Sequence, residues 1–272
     1  DVLDRIRTTT LPDLSVQKMD YGFGNDRGGA LQFKTTSVDA NGIKMESFVN
    51  VRGLLKATRQ QYSQGSDVWT SYDYDPVNDL INVTDDMSNL ITMAYDQLGR
   101  KISISHPDAG TTDYKYDLVG NLINKTTANL KSGGVGIKYT YDRERLIKIE
   151  YPQNPQNNVT FTYGAAGEAS FRAGRIKKQQ DGSGTQEYFY NPLGAIVKNI
   201  RVIKVPDTLP LTYTTNWTYD TWNRLTGMIY PDGETVTYNY NVGGLLQNMS
   251  GSKGGTAYNY VPQLGYDKFE KR

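Results

Sequence analysis

The 272 residues contain no cysteine and a single histidine, His106. Without cysteine there are no disulfides and no thiolate metal sites. One histidine leaves a single candidate for a His-dependent triad or a His metal site, and it stands in "SISHPDAG", a setting that reads as a turn. No apolar run approaches the ~20 residues of a membrane-spanning helix. Neither sign of charge dominates: 30 basic residues face 29 acidic ones, for a net charge of +1. That balance gives no reason to expect nucleic acid or an anionic membrane as the main partner. The chain opens at Asp1 without an initiator Met or a signal-like segment, and it stops in "LGYDKFEKR", which reads as the opening of another unit. A segment of a longer polypeptide is expected.

What the chain has in abundance is tyrosine and glycine, 21 and 27 residues. It is rich in β-favouring aromatics yet hydrophilic on average. That combination suits sheets with a wet face better than one thick apolar core. The tyrosines are ordered. A large residue, any residue, then Tyr recurs at Tyr72-x-Tyr74, Met93-x-Tyr95, Tyr114-x-Tyr116, Tyr139-x-Tyr141, Phe161-x-Tyr163, Tyr188-x-Tyr190, Trp217-x-Tyr219, Tyr238-x-Tyr240 and Tyr258-x-Tyr260. Successive second tyrosines stand 20 to 29 residues apart around a basal period near 21, the mark of a repeat array with insertions.

Most anchors run on into Asp or Asn: Asp75, Asp96, Asp117, Asp142, Asn191, Asp220 and Asn241. Four residues after the tyrosine comes Gly or Asn, at Asn78, Gly99, Gly120, Gly167, Gly194, Asn223 and Gly244. These two types tolerate φ > 0, and an Asp or Asn opening a turn can accept a bond from the backbone two residues on. Tyr-Asp-x-x-Gly is therefore a turn, after which a strand restarts. The unit from Tyr141 lacks one turn residue ("YDRERL"), and the unit from Tyr163 reaches its "GRI" late, at Gly174. The opposite turns vary more, as "PDAG", "PDG", "DGSG" and "SGSKGG", and collect the insertions. Each unit is close to one hairpin, with Val236, Tyr238 and Tyr240 on one face and Thr235, Thr237 and Asn239 on the other. A lone hairpin is marginal in water, so stacked units bury each other's tyrosine rows. No helix is predicted. One continuous array over 1–272 is expected: degenerate units over 1–47, recognisable repeats over 48–267, and the start of a further unit over 264–272. Val49-Asn50 in "FVNVRG" stands where Tyr-Asp would, and "YGFGNDRGG" is a second degenerate site.

"YDQLGRKISISHPDAGTTDYKYD" and "YDTWNRLTGMIYPDGETVTYNYN" resemble the YD-repeat, or RHS-repeat, family, over roughly residues 45 to 267. The longer phrases "HPDAGTTDYKYDLVGNL" and "WTYDTWNRLTGMIYPDGE" further resemble its large secreted bacterial members, related to the B component of insecticidal toxin complexes. The resemblance implies an all-β fold of tandem hairpins in a strongly curved antiparallel sheet, one section of a spiral shell. It implies a non-catalytic wall that encloses or presents a C-terminal, toxin-like polypeptide. The partners implied are the remainder of the same polypeptide and toxin-complex subunits, and the location is secreted or at the cell surface. The family's capping segment with an aspartyl self-cleavage site has no counterpart in the sequence.

The functional residues expected are structural: Tyr74, Asp75, Tyr95, Asp96, Gly99, Tyr116, Asp117, Gly120, Tyr141, Asp142, Tyr163, Tyr190, Gly194, Tyr219, Asp220, Tyr240, Gly244 and Tyr260. No catalytic, cofactor or metal residue is expected. The repeated aspartates are read as turn acceptors rather than an acid ladder, and Asp85-Asp86 lacks the regular ligand spacing of a calcium loop. "KSGGVG" and "SGSKGGT" do not match a phosphate loop. Two alternatives stay open. A module binding carbohydrate or a cell-surface partner would use exposed aromatics, above all Trp222 in a turn. A glycoside-acting enzyme would need two carboxylates across a cleft, and none stands apart from the turn pattern. Exposed sheet edges also predict self-association.

Overall fold

The computed structural model describes residues 1–61 and 67–267. The chain divides into two compact units, Asp1–Gly136 and Ile137–Arg272. The first unit contains β1 (Thr8–Thr10), β2 (Val16–Asn25), β3 (Leu31–Val38), β4 (Lys44–Val49), β5 (Leu55–Gln61), β6 (Asp67–Tyr74), β7 (Leu80–Thr84), β8 (Leu90–Tyr95), β9 (Lys101–His106), β10 (Gly110–Tyr116), β11 (Leu122–Thr126) and the single helical turn α1 (Ala128–Lys131). The second contains β12 (Ile137–Asp142), β13 (Arg145–Glu150), β14 (Val159–Tyr163), β15 (Ile176–Asp181), β16 (Gly184–Tyr190), β17 (Ile196–Ile203), β18 (Leu211–Tyr219), β19 (Leu225–Ile229), β20 (Thr235–Tyr240), β21 (Leu246–Lys253) and β22 (Thr256–Val261). A short 3₁₀ turn over Pro155–Asn157 adds to α1 the only helical geometry among the described residues, and neither turn was expected from the sequence.

Within each unit every strand pairs antiparallel with the next, so each is a meander of hairpins. The pairing shifts by one residue immediately before Tyr74, Tyr95, Tyr116, Tyr141, Tyr163, Tyr190, Tyr219 and Tyr240, and before Val49. A bulge bends its strand and increases local twist. These bulges recur at the anchor tyrosines from Tyr74 to Tyr240, and one further shift, between Met249 and Ser250, lies within the β21–β22 pair.

The register sorts the side chains into two unlike faces. In the first unit Tyr72, Val83, Ile91, Met93, Ile104 and Tyr114 lie on one, with the anchor tyrosines. Ser71, Asn82, Thr92, Ser103, Ser105, Asp113 and Lys115 lie on the other. In the second unit Trp217, Met228 and Val236 share the aromatic side, and Asn216, Ile229, Thr235 and Ser252 the other, so the polar side admits an occasional aliphatic residue.

A conventional core is nearly missing: Phe48, Ala57 and Val236 are the only buried hydrophobic residues among those described. Phe48 and Ala57 are covered because the tip of the β2–β3 hairpin folds across the polar side of the first unit. Arg27 at that tip donates to the carbonyls of Asp85 (2.8 Å) and Asp86 (3.2 Å) in the β7–β8 turn. Ala57 is small enough to let Phe48 stack on Trp69 across the intervening strand, with centroids 5.4 Å apart. Gly24 lies close above, where a Cβ would come within 2.9 Å of the Lys34 side chain.

Candidate functional site

The repeat junction is where the sequence motif becomes geometry. Most of these turns are closed by their own Asp or Asn. Oδ1 of Asp96 accepts from the amides of Leu98 (2.9 Å) and Arg100 (3.0 Å), and Oδ1 of Asp220 from Trp222 (2.9 Å) and Arg224 (2.9 Å). Asp75 and Asp117 repeat the pattern two and four residues on, and Asn50 does the same in the degenerate unit. Asn191 and Asn241 accept from the amide four residues on, that of Ala195 and of Leu245 (2.9 Å each). The bond to the fourth residue was not foreseen. All seven expected Gly or Asn positions take φ between +61° and +96°. Gly99 (+72°) and Asn78 (+79°) show why the two types alternate there, since other residues pay a steric cost in that region.

The carboxylates respond to this setting. Backbone bonds from Arg100 and Leu98, with the Arg100 side chain, hold Asp96 below its ordinary value, and Asp220 is lowered the same way by Arg224 and Trp222. Burial pushes Asp117 up, and the bonds from Asn121 and Val119 outweigh it, so its net shift is downward. The repeated aspartates are thus consumed by their turns.

The tyrosines join one repeat to the one before. Tyr95 Oη donates to the carbonyl of Leu80 (2.9 Å), Tyr116 to Lys101 (2.8 Å), Tyr163 to Leu146 (3.0 Å), Tyr190 to Ile176 (2.6 Å), Tyr219 to Ile196 (3.0 Å) and Tyr240 to Leu225 (2.8 Å). Each acceptor lies in the strand that follows the preceding anchor tyrosine's turn or loop. Burial pushes the phenols of Tyr95, Tyr190 and Tyr219 up, as expected for hydroxyls held among neighbouring strands. Tyr21 makes the same bond to Ile6 (3.0 Å), although its hairpin turns only at Asp26–Gly29. Tyr74 has its ring near Lys56 Nζ (5.9 Å), and Tyr141 stands at the β12–β13 bulge.

One assignment changes. At β21 the bond to the Leu246 carbonyl comes from Tyr266 (2.8 Å), in "LGYD", and not from Tyr260. Tyr260 instead donates to Glu234, which pushes its phenol up to about 12. Its ring lies over Gly251, where a Cβ would come 2.6 Å from Cε2. The longer loop before "LGYD" places the anchor one tyrosine later than the spacing suggested. Residues 268–272 of the expected further unit lie outside the described residues.

The arginine after the turn is a second connector, and it was missed. Arg100 Nε binds Asp96 Oδ2 (2.7 Å) while its guanidinium lies 4.9 Å from the ring centre of Tyr116, the next anchor. Arg224 binds Asp220 (2.6 Å) and lies 4.6 Å from Tyr240. Arg145 pairs with Asp142 and lies 5.0 Å from Tyr163. An Arg one turn ahead of a Tyr is the signal that could have exposed this. Each such cation–π contact is worth about 0.5–1 kcal/mol at an exposed site.

The irregular unit after Tyr163 loops out residues 165–174. Gly164 bonds Arg175 and Gly174 through the backbone (2.9 Å each), and Arg172 pins the loop by donating to Tyr188 O (2.8 Å) over the ring of Phe189.

Glu46 is the one buried charged residue among those described. Lys44 (2.9 Å), Lys34 (3.3 Å) and Arg59 (3.3 Å) surround it, and Arg59 also binds Asp67. Burial pushes the Glu46 carboxyl up, and the bonds from Lys44 and Lys34 outweigh it, leaving it below its ordinary value. Every charge here has a partner, so the cluster ties β3 to β6 and presents no free acid or base.

His106 Nδ1 accepts from the Asp108 amide (3.2 Å), the turn role expected of it. Trp222 is exposed, with the Arg224 guanidinium 5.2 Å from its ring centre, so one side of the ring is occupied. No group of three or more His, Cys, Asp or Glu residues that could hold a metal occurs among the described residues, and no described helix is long and apolar enough to cross a membrane. An open groove of about 880 Å³ is lined by Phe161, Tyr163 and Lys148, with Asp142 and Arg145 already paired.

Residues 201–235, from β17 through the Pro-Asp-Gly turn after β19, match the RHS Repeat family. The chain carries an RHS repeat in that stretch. Its fold is that of the TcdB2-TccC3 crystal structure, with a TM-score of 0.68 at 16% identity over 95% of this chain and 16% of that one. The Photorhabdus luminescens Tc holotoxin pore with the TccC3-D651A mutation gives a TM-score of 0.68 at 16% identity, over 94% and 15%. The chain therefore spans about a sixth of the length of the chains it matches. No curated protein matches it.

Proposed function

We propose that the chain is a non-catalytic section of the wall of a larger secreted shell, one continuous array that encloses or presents a C-terminal polypeptide of the same protein. The observation that carries this is the division of labour between the two faces. The distinctive residues of the repeat are spent on closing turns and joining repeats, and the opposite side of the first unit, from β8 to β11, is mainly Ser, Thr, Asn and Asp. A wall needs strong lateral joints and an inner surface that does not adhere to an unfolded payload. Hydroxyl and amide side chains give that surface, because apolar burial is what drives adhesion. The polar side is the one turned toward the payload. Toxin-complex subunits are the partners this reading favours, and a bacterial cell surface or its exterior the location.

The test is limited proteolysis of the longer polypeptide, with fragments read by mass spectrometry. A C-terminal region protected while this array stays intact supports enclosure. A C-terminal region digested freely beside an intact array contradicts it and leaves surface binding, through exposed aromatics such as Trp222, as the function to pursue.

A further inference from the structure

The Tyr-Asp turns carry a feature that hairpin closure does not require. In a meander the turns after β4, β6, β8 and β10 all fall on one rim of the first unit. Their tips are Val51, Val77, Leu98, Leu118 and Val119, exposed from 74% to 102%. On the corresponding rim of the second unit stand Phe171, Leu193, Trp222 and Val242, all exposed. Among the described residues the opposite rim of each unit is mostly polar at its tips, with Asn41 and Asp108 in the first and Ser183, Asp232 and Gly254 in the second, although Met87 and Leu209 interrupt them. Exposed apolar residues scattered singly need no explanation, but a row in register with the repeat does.

Neighbouring turns touch, as Arg52 Nη2 donates to Pro76 O (2.8 Å) and Arg100 Nη1 to Asp117 O (3.1 Å). Between the turns at Asp75 and Asp96 lies an open notch of about 510 Å³, walled by Val77, Ile81 and Tyr95 with Asp79 at its side. Turns along the rim repeat every two strands, roughly 9.5 Å. The partner that matches such a row is another row of the same pitch. The carboxylates of Asp75, Asp96 and Asp117 accept from their own turn amides, so another rim can approach without stranding them.

We infer that the apolar rim of the first unit is an interaction surface for the same rim of a second copy of this chain. In an antiparallel, two-fold arrangement Val77, Leu98 and Leu118 of each copy enter the notches of the other, and the contact closes as a dimer. The five tips of the row contribute on the order of 300–600 Å² of apolar surface. The polar parts of the same turns bring this toward the ~800 Å² per partner of a standard interface, so the dimer is a weak one. This inference does not depend on whether the array encloses a payload.

Sedimentation velocity up to on the order of 100 µM tests it, a range suited to micromolar association. The expected result is a concentration-dependent dimer whose dissociation constant rises at least about tenfold in Leu98→Glu/Leu118→Glu, a loss of about 1.4 kcal/mol or more. Met87→Glu/Ala109→Glu on the other rim leaves it unchanged. Because the chain lacks cysteine, Leu98→Cys supplies an independent readout: it crosslinks between copies under mild oxidation, and Ala109→Cys does not. A monomer throughout the range overturns the inference. So does a dimer untouched by the rim changes and lost on Tyr258→Lys in β22, which would place the contact at the sheet edge.

Discussion

The phenol-to-carbonyl bonds make a quantitative claim about tyrosine. Tyr163, Tyr190, Tyr219 and Tyr240 of the second unit each donate to a backbone carbonyl of the preceding hairpin, at 2.6 to 3.0 Å. Replacing them by Phe keeps the rings and the guanidinium contacts and removes only the hydroxyls. A typical net hydrogen bond contributes about 0.5–1.5 kcal/mol, so the quadruple variant loses roughly 2–6 kcal/mol if the bonds act independently. That is a large share of the ~5–15 kcal/mol that holds an ordinary domain folded. Urea denaturation followed by circular dichroism measures it. With a slope of about 1–3 kcal/mol/M, each single Tyr→Phe lowers the midpoint by roughly 0.3–1 M. Tyr213→Phe is the control, because that residue is exposed and lies outside the ladder. If the four singles shift the midpoint no more than the control does, the hydroxyls do not join the repeats, and the tyrosines act as rings alone.

Three further outcomes follow from the same geometry. Gly99→Ala, at φ +72°, costs about 1–2 kcal/mol in the same urea assay, and Asn78→Gly costs nothing or gains slightly. Glu46→Gln strips the counter-charge from Lys34, Lys44 and Arg59; these cations are partly solvated, so the loss is about 1–3 kcal/mol rather than that of a fully buried pair, read by thermal denaturation. Asp85, Asp96, Asp117, Asp220 and Glu46 all lie below their ordinary values when folded. The unfolded chain therefore binds more protons near pH 4, and their contribution is present in full above that value and lost as pH falls through the folded pKa values. A stability profile flat from about pH 5 to 8 and falling below about pH 4 is expected, and one that falls between pH 5 and 7 would contradict the assignment.

The turns were legible because their causes are local. Asp96 and Gly99 act within four residues of each other, and the same logic found Asn50 and Gly53 in a unit that has lost its tyrosine. The alternation of Val236, Tyr238 and Tyr240 was legible for the same reason. What joins one repeat to the next was not. The bond from Tyr116 to Lys101, and Arg100 over Tyr116, depend on which rings the bulges bring alongside which carbonyls, and no single period contains that. Tyr266 replaced Tyr260 because loop length, invisible to a spacing rule, decides which tyrosine reaches Leu246. The folding of the β2–β3 tip over Phe48 was equally hidden, since Arg27 and Asp85 are far apart in the chain and share no motif.

The most direct test of the wall reading asks which face meets the payload. In the longer polypeptide, a single cysteine carrying a photoactivatable crosslinker at Lys115→Cys reports from the polar side, and one at Lys125→Cys from the aromatic side. The absence of native cysteine makes each label unique. A payload facing the polar side gives crosslinks from position 115 to C-terminal peptides and none from position 125. Crosslinks from 125 alone would turn the wall inside out, and none from either would mean that the array encloses nothing.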